Sequence, residues 1–307
     1  MSIRQETVNC LICNSTQSEP FYADVPDRFN PDKTYREVIC SKCGFVYLSP
    51  RPVEEEMSRF YDLQDYHPHH LSETAAFDKV YARVRNRNSQ NKRNLIAKYC
   101  PGGHLLDIGC GTGEFLMEMK KNNWLVTGLE TADEAREIAI RKGLQVSDKL
   151  WKVEGLFDVV TLWHVLEHIH RVDSLFTHIK RLLSPDGYLI LALPNRESID
   201  AGYYKNHWVA LDAPRHLYHF RPIDIEKLFK QYGLEIIKIS PLLHFDAWYN
   251  ALLSAKLKSA VKNKSLLPQL PVALLIALSS YIRGLTNGKK CASPVYIARI
   301  NTRENQQ

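Results

Sequence analysis

The stretch that decides the fold is His104-Leu105-Leu106-Asp107-Ile108-Gly109-Cys110-Gly111-Thr112-Gly113-Glu114-Phe115-Leu116. It opens with a short apolar run, residues 105–108, which is typical of a buried strand. Three glycines follow, and apolar side chains then recur at helical spacing through Met119. The pattern predicts a strand, a glycine turn and a helix. Glycine is needed in such a turn because a Cβ would keep the backbone away from a bound ligand.

A carboxylate stands at the end of the next predicted strand. Residues 125–129 are mostly apolar, and Glu130 follows them 23 positions after Asp107. A carboxylate at this place can accept hydrogen bonds from both hydroxyls of a ribose. The glycine turn and this acid together predict a pocket for a nucleoside.

The glycine spacing is Gly109-x-Gly111-x-Gly113 and not the G-x-G-x-x-G of dinucleotide enzymes. With Asp107 two residues ahead, this segment resembles motif I of class I S-adenosylmethionine-dependent methyltransferases, and the resemblance runs over about residues 105–195. It implies a cofactor with one adenosine and no pyrophosphate, with Glu130 on the ribose. For Asp148, an adenine contact and an exposed loop aspartate both stay open. The residues that we assign to the cofactor are Asp107, Gly109, Cys110, Gly111, Gly113, Glu130, Asp148 and Trp163.

The rest of the central segment alternates helices and strands. Residues 157–163 and 188–193 are nearly continuous apolar runs, with a helix predicted over 172–183 and a turn over 184–187. This order predicts an α/β fold with a Rossmann-like, doubly wound, mostly parallel sheet. The last strand, 293–300, is expected to be antiparallel. Ligands of such sheets lie beyond the carboxyl ends of the strands, where the glycine turn, Glu130 and Trp163 would meet.

Composition narrows the class of protein. The chain has 307 residues, of which 45% are hydrophobic, so it can bury a full core. Its start has no apolar signal-peptide segment, which predicts a cytoplasmic protein. In that compartment seven cysteines indicate metal binding or simple burial rather than disulfides. The net charge of +6 is spread along the chain, so we expect no nucleic-acid partner.

Two cysteine pairs mark the N-terminal segment. Cys10-x-x-Cys13 and Cys40-x-x-Cys43 are separated by 26 residues, and Gly44 allows a tight turn after the second pair. The pattern resembles a zinc ribbon with a structural Zn²⁺ in a closed shell of four thiolates. The alternative is that buried thiols only pack. Residues 21–27, between the pairs, are acidic and aromatic, which favours a cap on the substrate side over a phosphate-binding surface.

Three polar residues follow the strand 157–163: His164, Glu167 and His168. This segment resembles ubiquinone-type O-methyltransferases, which have a glutamate at the first of the three positions and a Glu-His pair as a magnesium site. Here His164 replaces that first carboxylate, and imidazole is a poorer ligand for Mg²⁺ than oxygen. Magnesium-assisted catalysis is therefore the weaker alternative, and shaping of the pocket the stronger one.

A dense polar and aromatic segment, residues 207–222, contains the candidate general base His216. It resembles the corresponding segment of methyltransferases from sugar and surface-polysaccharide pathways. In the deoxysugar C-methyltransferases of that group a Tyr-x-Glu-His cluster stands here. Only His216 matches it, since Ala213 and Arg215 occupy the other two positions. We therefore take His216, His168 and His164 as the catalytic candidates, and for His216 a structural hydrogen bond to loop backbone remains the alternative.

Two segments lie outside this core. Residues 53–61 are predicted to be helical, and a lid over the cofactor is one hypothesis for the following Tyr61, Tyr66, His67, His69 and His70, with solvated loop residues as the other. Residues 242–290 form an insertion before the last strand, in which an apolar run follows several lysines. We expect no transmembrane helix there, because the run is short and holds two prolines. A helical cap or dimer contact, and peripheral membrane contact through 256–282, are the remaining interpretations.

The predicted organisation is a zinc-ribbon-like domain (1–50), a linker or lid (51–76), a methyltransferase domain (77–241 and 291–302) and a helical insertion (242–290). The predicted activity is methyl transfer from S-adenosylmethionine to a small or lipid-linked acceptor, with a sugar hydroxyl first and a quinone or phenolic lipid second. Other classes left open are a nicotinamide-dependent oxidoreductase and a non-catalytic zinc scaffold. Localisation is predicted to be cytoplasmic, with a peripheral position at the inner membrane face as the alternative, and the oligomeric state is not predicted.

Overall fold

The computed structural model describes residues 3–61, 75–242 and 246–301. It divides into two compact units. Unit 1 takes in Met1–Leu71, Leu193–Leu228 and Ser240–Pro294, and unit 2 takes in Ser72–Ala192, Phe229–Ile239 and Val295–Gln307. The domain boundaries drawn from the sequence stay a prediction.

The strands and helices of the described residues are numbered separately along the chain. The strands are β1 (Gln5–Glu6), β2 (Ser18–Pro26), β3 (Thr34–Cys40), β4 (Val46–Leu48), β5 (Arg51–Pro52), β6 (His104–Ile108), β7 (Leu125–Leu129), β8 (Gln145–Ser147), β9 (Phe157–Trp163), β10 (Leu183–Ala192), β11 (Tyr218–His219), β12 (Leu234–Pro241) and β13 (Pro294–Ile300). The α-helices are α1 (Ala75–Ile96), α2 (Glu114–Lys121), α3 (Asp133–Arg141), α4 (Val172–Leu182), α5 (Ile199–Tyr204), α6 (Pro222–Gln231), α7 (Asp246–Val261) and α8 (Leu270–Thr286).

Unit 2 is built on one sheet, whose described strands run in the order β12-β13-β10-β9-β6-β7-β8. Strands β10, β9, β6, β7 and β8 pair in parallel, and β13 pairs antiparallel with β10. The central strands are apolar on both faces, with Leu105, Leu106, Val159 and Val160 fully buried. The predicted doubly wound sheet with an antiparallel last strand is thus confirmed.

The register of the sheet sets which residues meet at its carboxyl edge. Ile108, the last residue of β6, pairs with Leu129 at the end of β7 and with Leu162 in β9. The three strands therefore end level with one another. The glycine turn, Glu130 and Trp163 follow directly at that edge, as the sequence predicts.

The predicted turn over residues 184–187 is wrong, since these residues belong to β10. Leu183 pairs with Phe157, and the next pair is Tyr188 with Val159. Between these two pairs, four residues of β10 (184–187) stand opposite one residue of β9, Asp158, and the irregularity inside the strand absorbs the extra residues. Ser184-Pro185-Asp186-Gly187 has the composition of a turn but serves as a bulge within one strand.

Unit 1 holds a small antiparallel sheet in the order β11-β4-β3-β2, and β1 pairs antiparallel with β5. The helix predicted over residues 53–61 is confirmed, and it is a 3₁₀ helix over Glu54–Phe60. Tyr66, His67, His69 and His70, which the lid hypothesis uses, lie outside the described residues.

The insertion forms α7 and α8, which pack against each other. The argument from the sequence against a transmembrane helix used the shortness of the apolar run and its two prolines. Pro268 and Pro271 do not interrupt the helices, because both fall at the beginnings of helical turns, where proline is tolerated. By length and composition alone, the segment Leu267–Thr286 is long and apolar enough to cross a membrane.

A buried ion network holds the segment 207–222 inside unit 1. The Arg215 side chain is fully buried, and its Nη2 donates to Asp27 Oδ1 at 2.7 Å and to Asp212 Oδ1 at 2.8 Å. Burial alone would lower the pKa of Arg215, but the two carboxylates outweigh it and raise that pKa. Arg28 adds a second cation, with its Nε 3.1 Å from Asp212 Oδ1. Arg215 is therefore a structural residue.

Replacing Arg215 should destabilise unit 1 strongly. Arg215→Met keeps the apolar stem but removes the cation that the two buried carboxylates share, which should cost about 3–5 kcal/mol of unfolding free energy. The matched control is Arg59→Met, because Arg59 makes a surface ion pair with Glu56 at 2.7 Å that is worth about 0.2–1 kcal/mol. Urea denaturation of the three proteins gives the comparison, and equal midpoints for the two variants would contradict this account.

Candidate functional site

The glycine turn of unit 2 is fixed to the end of β7. The amides of Gly109 and Cys110 both donate to the carbonyl of Leu129, at 2.7 and 3.0 Å. Gly109, Gly111 and Gly113 all have positive φ, at +74°, +54° and +83°. The chain thus reverses between β6 and α2 through a backbone path that residues with a Cβ rarely adopt.

Gly111 differs from the other glycines in what surrounds it. A Cβ built on Gly113 would lie 2.3 Å from Leu144 Cδ1, and one on Gly109 would lie 2.5 Å from Val165 Cγ2. A Cβ built on Gly111 meets no atom within 4 Å. Gly109 and Gly113 are therefore required by packing, whereas Gly111 faces open space where a ligand can approach the backbone.

Glu130 lies beside this turn. Its Oε2 accepts a hydrogen bond from the amide of Gly111 at 2.8 Å, and its Oε1 accepts one from the amide of Ala132 at 2.9 Å. Glu130 is half-buried at the edge of the sheet. Two carboxylate oxygens offer about four acceptor sites, which leaves room for the two hydroxyls of a ribose. The structure thus brings together Gly111 and Glu130, the two residues on which the predicted pocket depends.

Asp107 lies deeper than the sequence suggested. The residue is 2% exposed, and its Oδ1 accepts a hydrogen bond from Thr161 Oγ1 at 2.6 Å. Burial raises the pKa of Asp107 to about 7, against the lowering effects of the Thr161 hydrogen bond and of Lys92. The carboxyl group joins the ends of β6 and β9. Thr161 was not predicted as a partner, because only the register between these strands brings the two side chains together.

The Cys110 side chain is also buried in the sheet rather than in open space. Its residue exposure is 7%, and a Cβ on Gly128 of β7 would lie 2.7 Å from its Sγ. Burial is the main cause of the raised pKa of this thiol. Cys110 therefore packs the turn onto β7.

Trp163, at the end of β9, has an aromatic and a cationic neighbour. Its ring meets Phe115 edge to face at a centroid distance of 5.7 Å, and Lys92 Nζ lies 4.5 Å from the ring centroid. The indole Nε1 is buried, and it has no hydrogen-bond partner in the described part of the chain. A buried donor of this kind at the carboxyl edge fits a site that receives a polar ligand.

Asp148 follows β8 and lies farther out. Its carboxylate pairs with Lys152 Nζ at 2.8 Å, and this ion pair is the main cause of its lowered pKa. A third of its side chain is exposed. Of the two interpretations offered from the sequence, this geometry favours the exposed loop aspartate.

His164, Glu167 and His168 follow β9 at the same edge of the sheet. The His164 backbone has φ +58°, and its amide donates to Ala192 O at 3.0 Å. The Glu167 residue is fully buried, and His164 Nδ1 lies 3.6 Å from its Oε1. One carboxylate beside imidazoles is a poor donor set for Mg²⁺, which prefers several hard oxygens.

In unit 1 the four predicted cysteines do converge. Their Sγ atoms all lie within 4.8 Å of one another, with 3.5 Å between Cys10 and Cys43 and 3.5 Å between Cys13 and Cys40. Four sulfurs around a tetrahedral Zn²⁺ would lie about 3.8 Å apart, given Zn–S bonds of about 2.3 Å. The thiols are therefore spaced as zinc ligands, and all four are free cysteines without a disulfide bond.

Both cysteine pairs have the same backbone turn. The amide of Asn14 donates to Cys10 O at 2.8 Å, and the amide of Gly44 donates to Cys40 O at 2.9 Å. Asn14 and Gly44 both have positive φ, at 52° and 73°. Gly44 was predicted from the sequence, whereas Asn14 was missed, although asparagine is the non-glycine residue best suited to this conformation.

His216 lies in the same unit, in a buried position. Its Nδ1 donates to Ala210 O at 2.7 Å, and its Nε2 lies 3.9 Å from Asp212 Oδ2. The hydrogen bond to the carbonyl assigns the proton to Nδ1 in the neutral ring, so Nε2 is the basic nitrogen. The hydrogen bond to loop backbone that a purely structural His216 would make is therefore present. The role of His216 as a general base stays a prediction, because Nε2 does not take part in that bond.

Comparison with known proteins gives the family. A family model described as a methyltransferase domain matches residues 75–239, which is more than half of the chain. A ubiquinone biosynthesis O-methyltransferase of Xanthomonas euvesicatoria pv. vesicatoria is 27% identical over 166 residues, covering 48% of this chain and 69% of that protein. The protein of the same description from Haemophilus ducreyi is 36% identical over 110 residues, covering 31% of this chain and 47% of that protein.

Among solved structures, magnesium protoporphyrin IX methyltransferase from Synechocystis PCC 6803 with bound SAH is 15% identical, with a TM-score of 0.48, and covers 80% of this chain and 92% of that one. The family match rests on the segment that contains the glycine turn, Glu130 and Trp163. This match favours a methyltransferase over the two other classes left open from the sequence, a nicotinamide-dependent oxidoreductase and a non-catalytic zinc scaffold. The chain belongs to the methyltransferase-domain family and is an S-adenosylmethionine-dependent methyltransferase.

Proposed function

We propose that this methyltransferase transfers the methyl group to a hydroxyl oxygen of a small, lipid-like acceptor, with a quinone-type phenol as the first candidate. The observation that carries this choice is the similarity to curated relatives described as ubiquinone biosynthesis O-methyltransferases. It reverses the order of acceptors expected from the sequence, in which a sugar hydroxyl came first. The sugar acceptor stays a prediction, and the burial of Arg215 gives no support to a C-methylation cluster at residues 213–216.

The carboxyl edge of the unit 2 sheet fits the cofactor. Gly111 leaves open space beside its backbone, Glu130 has remaining acceptor capacity, and Trp163 holds a buried donor without a partner in the described residues. In this proposal Glu130 holds the ribose hydroxyls and Gly111 allows close approach. S-adenosylmethionine, when bound, supplies a methyl group already activated on a sulfonium. The turn itself is shaped by Asp107, Gly109, Cys110 and Gly113. Asp148, which pairs with Lys152, would contribute less to cofactor binding than Glu130 does.

The chain's remaining task is to orient the acceptor and remove its proton. His164 and His168 are the candidate bases of unit 2, because both follow β9 at the edge where the cofactor would lie. The Glu167 carboxylate, 3.6 Å from His164 Nδ1, would stabilise the imidazolium that forms when His164 accepts a proton. His216, in unit 1, stays a candidate base predicted from the sequence, and its Nε2 is the nitrogen that can accept a proton.

A transfer assay tests the acceptor. The protein is incubated with S-adenosylmethionine labelled in the methyl group and with, in turn, a short-chain catechol, a nucleotide sugar and a lipid-linked sugar. We expect the label on a catechol hydroxyl, because the proposed acceptor is a phenol whose proton a histidine can remove. Label on a sugar alone would contradict the quinone-type acceptor, and label on none of the three would contradict O-methylation of a small acceptor.

Two variants of Gly111 serve as controls for the assay. Both pay a backbone cost of about 1–2 kcal/mol for the left-handed conformation. Gly111→Ala puts one methyl group into the space where the cofactor approaches and should weaken cofactor binding, whereas Gly111→Phe fills that space and should abolish binding, in both cases without unfolding the protein. Thermal melts of both variants check the folded state.

We also propose that the four cysteines bind one structural Zn²⁺. The support is the convergence of four thiols at ligand spacing in unit 1. Such a metal would stabilise unit 1 and would take no part in methyl transfer.

Metal analysis of the purified protein checks this site. We expect about one zinc per chain in the wild type and a loss of zinc in Cys10→Ser, because three thiolates bind the ion far more weakly than four. Cys100→Ser is the matched control, since Cys100 Sγ donates to Gly102 O at 3.1 Å outside the cluster. A wild-type protein that holds no zinc after purification with zinc in every buffer would rule the site out.

A further inference from the structure

Helix α8 has its large side chains on the outside. Six of them are exposed to solvent by 44–74%: Leu267, Leu274, Leu275, Leu278, Ile282 and Leu285, the first of which lies in the turn before the helix. We call this set the α8 outer face. Leu274, Leu278, Ile282 and Leu285 are three or four positions apart, so they form a stripe along one side of the helix.

The side of α8 that is buried holds small residues instead. Ala273, Ala277, Ser280 and Gly284 recur at the same helical spacing. Small residues let α8 and α7 approach closely, and the six large side chains of the outer face remain exposed when the two helices pack. A helix on the surface of a water-soluble protein normally has the opposite arrangement, with large apolar residues inside and polar residues facing the solvent. The α8 outer face is therefore available for another apolar surface.

The charged side chains of the insertion that follow Asp246 are all basic. Residues 247–303 contain no Asp or Glu. Lys262 and Lys264 are exposed just before α8, and Lys289 and Lys290 are exposed just after it, with Lys289 paired to Glu226 at 2.7 Å. Lys256 and Arg283 add exposed cations along the two helices. An apolar stripe with cations at both ends is complementary to a bilayer surface that contains anionic lipids.

The contacts of α8 favour a helix that lies on the bilayer over one that crosses it. Ser280 Oγ donates to the buried carboxylate of Asp200 at 3.4 Å, and the small residues pack on α7. A spanning helix would have to give up this packing and would place Arg283 near hydrocarbon, which is costly. A helix that keeps its inner contacts can still insert its outer face.

We propose that the α8 outer face, with the exposed Tyr249, Leu252 and Val261 of α7, is a peripheral membrane-binding surface for anionic lipid. The leucines would enter the boundary between headgroups and acyl chains, and the lysines would contact lipid phosphates. This surface does not depend on which acceptor the enzyme methylates. It would bring the enzyme to any acceptor that is dissolved in, or linked to, the bilayer.

Vesicle flotation of the full chain tests the surface. The probes are vesicles of phosphatidylcholine alone and of phosphatidylcholine with phosphatidylglycerol, at low and high salt. We expect the wild type to float with the anionic vesicles at low salt, and to do so roughly tenfold less with neutral vesicles or at high salt. A wild type that remains in the dense fraction with anionic vesicles at low salt overturns the proposal.

Matched variants separate the two contributions. Leu275→Glu with Leu278→Glu should abolish flotation, and Lys262→Glu with Lys264→Glu should weaken it by roughly tenfold or more. Leu125→Glu is the control, because Leu125 is an exposed leucine, at 70%, in β7 of unit 2. All of these positions are on the surface, so melting temperature and cofactor binding should stay at wild-type values. Equal flotation of the control and the leucine variant overturns the proposal.

Two further outcomes also decide against it. Vesicle-bound protein that resists extraction at alkaline pH would indicate a spanning helix in place of a peripheral one. Sedimentation that shows a dimer, dispersed by the two Leu→Glu changes, together with no flotation would assign the face to a second copy of the chain.

Discussion

The backbone amide of Gly111 donates a hydrogen bond of 2.8 Å to the carboxylate of Glu130. This bond joins the turn after β6 to the end of β7, and it exists only because the parallel strands end level with one another. Any larger residue at 111 would take the space beside that bond, and any neutral residue at 130 would weaken it. The proposed cofactor site therefore depends on one short contact, held in place by the sheet beneath it.

The parts of the fold that the sequence predicted well are those set by neighbouring residues. The apolar run 157–163 matches β9 residue for residue. The glycine turn leads directly into α2, whose N-cap is Gly113, as predicted. Contacts between distant segments were missed, because no local pattern encodes them. Thr161 meets Asp107 through strand register, and Arg215 meets Asp27 across 188 positions of sequence. The segment 184–187 misled for a related reason, since its partner strand decides between a turn and a bulge.

The same distinction applies to the site. Gly111 and Glu130 could be placed together from the sequence, because a motif and a spacing fix both. The depth of Asp107 and the ion pair that holds Asp148 to Lys152 could not, since burial and surface pairing depend on the folded chain. In unit 1 the cysteine spacing predicted a four-thiol cluster, and the structure shows the thiols converging. The orientation of α8 could not be predicted, because apolar residues lie on all sides of most of this helix and do not reveal which side is buried.

Calorimetric titration with S-adenosylmethionine of the wild type, Glu130→Gln and Asp148→Asn tests the central claim most directly. Glu130→Gln keeps the shape but loses the charge that binds the ribose hydroxyls, so its Kd should rise at least about tenfold. Asp148→Asn should bind within about twofold of the wild type, because Asp148 faces Lys152. Wild-type affinity in Glu130→Gln would contradict the assignment of Glu130 as the ribose ligand.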